Sequence, residues 1–102
     1  MSSREPEFEE KVESHTELTE PPQYKVLLHN DNYTTMDFVV QVLETVFNKA
    51  PSEAIQIMLN VHKKNIGVCG IYTFEVAETK VDMVQRLATE CSFPLKCSME
   101  EL

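Results

Sequence analysis

Leu28-His29-Asn30-Asp31-Asn32-Tyr33-Thr34-Thr35-Met36-Asp37-Phe38-Val39-Val40 decides how the chain folds. It begins apolar, breaks into a polar knot and resumes as an apolar run with helical spacing. Asn30, Asp31 and Asn32 are turn formers, because their short side chains bond nearby backbone. Thr34 is placed to N-cap the helix that follows, with Asp37 three residues on to close a capping box. A strand therefore runs into a polar loop, and the loop runs straight into a helix. Loops of this kind carry function more often than the elements they join.

Working outward on the N-terminal side, Tyr24 to His29 reads as the first strand. Residues 1–22 lack apolar periodicity and end at Pro21-Pro22. They hold seven glutamates against Arg4 and Lys11, for a net charge of −5. This segment reads as a flexible acidic tail, and residues 23–102 as the single core domain. On the C-terminal side, helix one is expected from about Thr35 to Asn48. Its apolar residues fill about 200° of arc at 100° per residue. A helix packed on one sheet needs only a stripe of about 100° or slightly more. The surplus would cover a second helix or line a groove.

Pro51 suits the first turn of helix two, which is expected to run to about Lys63. Ala54, Ile55, Ile57, Met58, Leu59 and Val61 give it an equally wide apolar arc, and His62 falls inside that arc. Ile66 to Phe74 reads as a strand holding both glycines, Gly67 and Gly70, which marks a bulge or a close backbone approach. Thr73 is placed to cap helix three, about Glu75 to Glu90, whose apolar side includes Cys91 and is interrupted by Lys80. Phe93 to Met99 reads as a last strand, which Pro94 puts at an edge. The order predicts an α+β fold: a small three-stranded antiparallel sheet with three helices packed on one face, β-α-α-β-α-β.

Composition excludes several classes of function. The net charge is −8 over 102 residues with no basic stripe, a poor basis for binding nucleic acid. No apolar run is long enough to span a membrane, and the N-terminus lacks the pattern of a signal peptide. Cys69, Cys91 and Cys97 are odd in number and form no CxxC pair. They are expected to be buried, inert thiols in a reducing cytoplasm, not a disulfide framework or a zinc site. No cluster has metal-ligand spacing, no Gly-rich phosphate loop is present, and no nucleophile–base pair can be assigned, so neither catalysis nor a cofactor is expected.

His62 is the titratable group that stands out. The plain alternative is a core histidine bonded to a backbone carbonyl. If helix two packs beside helix one, however, Asn30, Asp31 and His62 would offer an amide carbonyl, a carboxylate and an imidazole nitrogen over an apolar hollow. Such acceptors suit an ammonium group attached to an apolar side chain.

The sequence at this point resembles a known family. Asn30-Asp31-Asn32-Tyr33-Thr34-Thr35-Met36-Asp37-Phe38-Val39, then Met58-Leu59-Asn60-Val61-His62, then Val68-Cys69-Gly70-Ile71-Tyr72-Thr73 and Glu75-Val76-Ala77-Glu78-Thr79-Lys80-Val81 are similar to the bacterial ClpS adaptors in order and spacing. The likeness spans residues 22–99 and leaves out the tail. It implies a non-catalytic adaptor; a cytoplasmic monomer is expected. Such an adaptor binds N-degron substrates by a free N-terminal Leu, Phe, Tyr or Trp and delivers them to the ClpA unfoldase of the ClpAP protease.

By motif position, the resemblance implies that Asn30, Asp31 and His62 hold the substrate α-amino group. Asn32 and Thr34 would form the pocket rim. Met36, Val39, Met58, Val61 and Leu95 would line the hydrophobic pocket. Glu75, Glu78 and Lys80 would face the N-terminal domain of the AAA+ unfoldase, with the tail assisting delivery. Asn32 stands where the family often has a second Asp, and Thr35 where it often has Pro. Two rival readings remain open from sequence alone: an interaction domain resembling the C-terminal domain of the ribosomal stalk protein, with no pocket, and a hydrolase using one of the cysteines.

Overall fold

The structure is a computed structural model and describes residues 20–102. The expectation of a flexible tail at residues 1–22 falls, as far as residue 19, outside the described residues. The elements are β1 Gln23–His29, α1 Met36–Thr45, α2 Pro51–Lys64, β2 Ile66–Thr73, α3 Phe74–Glu90 and β3 Lys96–Glu101. The sheet order is β2-β1-β3 with both pairings antiparallel, as the order of elements predicts. The first strand is thus central, and the loop leaving its C-terminal end sits between the two edge strands.

Alternation along β1 sends Val26 and Leu28 into the core under the helices and Leu27 to the other face. The core joins Val26 and Leu28 to Phe38, Val39, Val42 and Leu43 of α1, Ala54, Ile57 and Val61 of α2, and Ala77, Val84 and Ala88 of α3. The α2 residues lie three, then four positions apart, so only a narrow stripe of its wide apolar arc is buried. Ile55 is exposed and Met58 is partly buried.

The glycines mark the close approaches expected of them. The β1–β2 register slips between Val26 and Leu27, leaving Cys69 as the extra residue of a bulge beside Gly70. At Gly67 a Cβ would lie 2.6 Å from Val61 Cγ2 and 3.4 Å from the Ile57 carbonyl oxygen. The missing side chain therefore lets α2 close onto β2.

Several boundaries differ from the sequence reading. The N-cap of α1 is Thr35, whose hydroxyl accepts the Phe38 N–H at 3.1 Å, and not Thr34. The Thr34 hydroxyl is already committed, donating to Asp31 Oδ2 at 2.7 Å. The helix stops at Thr45 instead of Asn48, because Asn48 turns left-handed (φ 55°) and Lys49 N–H bonds back to the Leu43 carbonyl at 3.1 Å. Thr73 occupies the N-cap of α3 but makes no side-chain cap bond.

The last strand begins at Lys96, not Phe93. Ser92 turns left-handed (φ 60°), and Phe93 N–H returns to the Ala88 carbonyl at 2.8 Å. Phe93 then packs its ring 4.7 Å from that of Phe38, so the apolar Phe93-Pro94-Leu95 run closes the core instead of starting the strand. Cys91, expected on the buried side of α3, is its exposed C-cap; Cys69 and Cys97 are buried as expected.

Candidate functional site

The polar knot is an Asx turn built around one carboxylate. Asp31 Oδ1 accepts the Tyr33 N–H at 2.8 Å and the Thr34 N–H at 2.7 Å, while Oδ2 accepts the Thr34 hydroxyl. Desolvation pushes the Asp31 carboxyl upward, but the bonds from Thr34 and Tyr33 outweigh it and hold the group below its ordinary range. Asp31 is thus a fixed anion, oriented by its own loop.

Beside this turn lies a hollow of about 230 Å³, lined by Asn30, Asp31, Asn32, Thr34, Met36, Val39, Met58, Val61 and His62. The loop supplies the polar side, the first turn of α1 supplies Met36 and Val39, and the last turns of α2 supply Met58, Val61 and His62. Asn30 N–H donates to the Asn65 carbonyl at 2.9 Å, tying the end of β1 to the end of α2. The hollow is smaller than the ~300–1,000 Å³ of a drug-sized pocket and suits one side chain. His62 is exposed, so it is not the buried core histidine of the plain alternative. The C-terminal end of α2 also turns its negative dipole end toward this region, which favours a cation.

Every residue expected around the hollow lines it except Leu95. That residue is only 3% exposed, belongs to the core cluster and is not part of the lining. Asn65 is a position that the sequence reading passed over. Asparagine immediately after a helix is a common left-handed terminator, and that was the available signal.

The second predicted surface lies on α3. Glu75, Val76, Thr79, Lys80 and Met83 line a shallow depression, with Phe74, Val76 and Met83 all more than 40% exposed. Glu78 is exposed but outside that lining. Lys80 leans inward: its Nζ donates to the Val46 carbonyl at 2.8 Å and lies 5.3 Å from the Tyr72 ring centre and 5.8 Å from that of Phe47. Its place on the apolar side of the helix follows from this bond and these ring contacts.

Among the described residues no group of three or more His, Cys, Asp or Glu is arranged to hold a metal, and no helix is long and apolar enough to cross a membrane. Burial pushes the Cys69 and Cys97 thiols upward, and each then acts as a small apolar side chain instead of a nucleophile.

Comparison with known proteins agrees with this fold. The family model for "ATP-dependent Clp protease adaptor protein ClpS" matches residues 19–98. The ClpS adapter of Desulforapulum autotrophicum is 55% identical over 103 aligned positions, covering 99% of each chain. That of Oleidesulfovibrio alaskensis is 62% identical over 86 residues, 84% of this chain and 83% of its own. The solved structure of Agrobacterium tumefaciens ClpS2 bound to L-phenylalaninamide superposes with a TM-score of 0.79 at 34% identity, covering 81% of this chain and all of that one. A capped polar turn set against the end of a second helix, on this order of elements and with these relatives, makes the chain a member of the ClpS family of non-catalytic Clp protease adaptors.

Proposed function

We propose that this adaptor binds proteins by a free N-terminal Leu, Phe, Tyr or Trp and delivers them to a ClpA-type unfoldase in the bacterial cytoplasm. The observation that carries the reading is the shared hollow. Asn30, Asp31 and His62 stand on the same small cavity as Met36, Val39, Met58 and Val61. A free α-amino group is mostly cationic at neutral pH, and the rim offers it a carboxylate, an amide carbonyl and an imidazole nitrogen. The apolar walls take the first side chain, and the two methionines adapt to its shape.

Magnitudes are consistent with useful affinity. Hydrogen bonds to a charged group contribute about 1.5–3 kcal/mol each, and burial of a Leu or Phe side chain another 1.5–3 kcal/mol. Association entropy offsets part of this, leaving binding in the micromolar to sub-micromolar range, roughly −8 kcal/mol. L-phenylalaninamide, the ligand bound to the Agrobacterium relative, has a free α-amine and an aromatic side chain, the same pair of features.

On α3, Glu75 and Glu78 are the charges free to meet the unfoldase's N-terminal domain, with the exposed Val76 and Met83 as apolar contacts. Lys80 supports that surface from beneath through the Val46 carbonyl. The chain acts as a monomer, with its acidic N-terminal tail assisting delivery. The stalk-like reading gives the hollow no task.

Titration with a Phe-starting peptide, free and N-acetylated, tests the proposal. Acetylation removes the cation and is expected to abolish measurable binding. Equal affinity for the two peptides would remove the ammonium cradle.

A further inference from the structure

The acceptors on the hollow come from two separate pieces of chain. Asn30 and Asp31 follow β1, whereas His62 ends α2. Core packing places α2 on the sheet, and the covalent connection between α2 and β2, beside the polar loop, is a single residue, Asn65. Its backbone is left-handed (φ 69°, ψ −9°). In that conformation it stops α2 three positions past His62 and sends the next residue, Ile66, directly into its pairing with His29. The same conformation presents the Asn65 carbonyl to Asn30 N–H at 2.9 Å. Among the described residues, this is the backbone bond outside the regular elements that joins the polar loop to the end of α2.

We propose that Asn65 is a positioning residue for the α-amino site: its left-handed turn and carbonyl hold Asn30, and with it Asp31, against His62. Asn65 is exposed and is not part of the hollow's lining, so it acts through Asn30 and not by touching the substrate. Residue type matters because asparagine and glycine visit this region readily, while a Cβ without a local polar group crowds the following carbonyl. An alanine relieves that crowding by moving φ out of the left-handed region, and the carbonyl then swings off Asn30. The proposal rests on the reading of the hollow as an α-amine site.

The test uses the full chain as wild type, Asn65→Ala and Asn65→Gly, with a fluorescent free Phe-starting peptide and a thermal melt of each. Glycine keeps the left-handed turn and is expected to bind within about twofold of wild type, whereas alanine weakens binding about tenfold, the scale of a left-handed penalty. Rescue by glycine separates positioning from a loss of side-chain contacts, since glycine removes the same side chain. Equal affinity for all three chains, or a glycine variant as weak as alanine, overturns the proposal.

The wild-type chain supplies a readout that needs no variant. The Asn30 amide is expected to exchange slowly with solvent deuterium, like the β1 amides before it, and to exchange faster in Asn65→Ala. Should Asn65→Ala not fold, rapid exchange of the Asn30 amide in wild type still overturns the proposal, and protection together with a binding-competent glycine variant upholds it. A wild-type chain that ignores the free peptide sinks the α-amine reading itself, a result distinct from variants that bind equally well.

Discussion

The polar turn at Asp31 and the α3 surface at Lys80 spend their charges in opposite ways. Asp31 takes hydrogen bonds from its own loop, yet it keeps its negative charge on the open hollow. Lys80 gives its ammonium to the Val46 carbonyl between two aromatic rings, so its charge is largely used within the molecule. The turn is an anion fixed in place before any ligand arrives, and the α3 surface is a mainly apolar patch edged with glutamates over an internal cationic strut. A residue's charge alone does not say which of these it serves; the partner of its terminal atom does.

The largest effects should follow from breaking the first of these. His62→Ala is expected to weaken binding of a Leu- or Phe-starting peptide more than tenfold, because a hydrogen bond to a charged group contributes about 1.5–3 kcal/mol. The imidazole is exposed, so stability should change by no more than about 0.5 kcal/mol. Asp31→Asn should match it in binding while leaving an oxygen to accept the turn's hydrogen bonds. Isothermal titration beside a urea melt separates the two quantities. Unchanged affinity in either variant would leave the hollow without a cation site.

Next in size is the packing behind the hollow. Gly67→Ala forces a Cβ against Val61 Cγ2, which stands 2.6 Å from the ideal Cβ position, with the Ile57 carbonyl of the same helix at 3.4 Å. Overpacking of this kind costs about 1–3 kcal/mol. Val61 also lines the hollow, so whatever motion relieves the clash changes the cavity's shape. A urea midpoint equal to wild type would show that α2 and β2 are not in the close contact described.

Smaller again is the strut. Lys80→Ala removes one hydrogen bond to a carbonyl and two ring contacts, together about 1–2 kcal/mol. Glu78→Ala, fully on the surface, should cost no more than about 0.5 kcal/mol. Both variants are expected to keep peptide affinity, since neither residue is near the hollow. The contrast blurs if Lys80→Ala melts like wild type, for then the ammonium is not held by Val46 in solution.

These comparisons also show what the amino-acid sequence could and could not disclose. Helical spacing in α1 and α2, the turn residues 30–32 and the glycines of β2 were legible because each is a local pattern with a local cause. The two threonines were not separable locally, since Thr34 and Thr35 both precede an apolar run. The choice went to Thr35 because Asp31 captures Thr34. The Phe93-Pro94-Leu95 run looks like strand, but Ser92 turns the chain and the aromatic ring is drawn to Phe38, a long-range contact no window contains. His62 sits on an apolar arc yet is exposed, because that part of the arc faces the hollow instead of the core. Grouping Asn30, Asp31 and His62 was conditional on helix two packing beside helix one, and the family likeness strengthened it, as the bond joining their segments runs between residues far apart in sequence.

The smallest effect concerns the fixed anion of the hollow. The Asp31 carboxyl, held below its ordinary value of 3.8, contributes to the turn above that value, and the contribution is lost only as pH falls through the lower folded value. Between about pH 7.5 and pH 5.5 the Asp31 charge is therefore constant. In a His62→Ala chain Asp31 is the ionisable side chain left on the hollow, so affinity for a free Phe-starting peptide should stay level within about twofold over that range, the α-amino group already being mostly cationic at its upper end. A several-fold fall in that variant would show that the Asp31 carboxyl is not held in its charged form by the bonds from Thr34 and Tyr33.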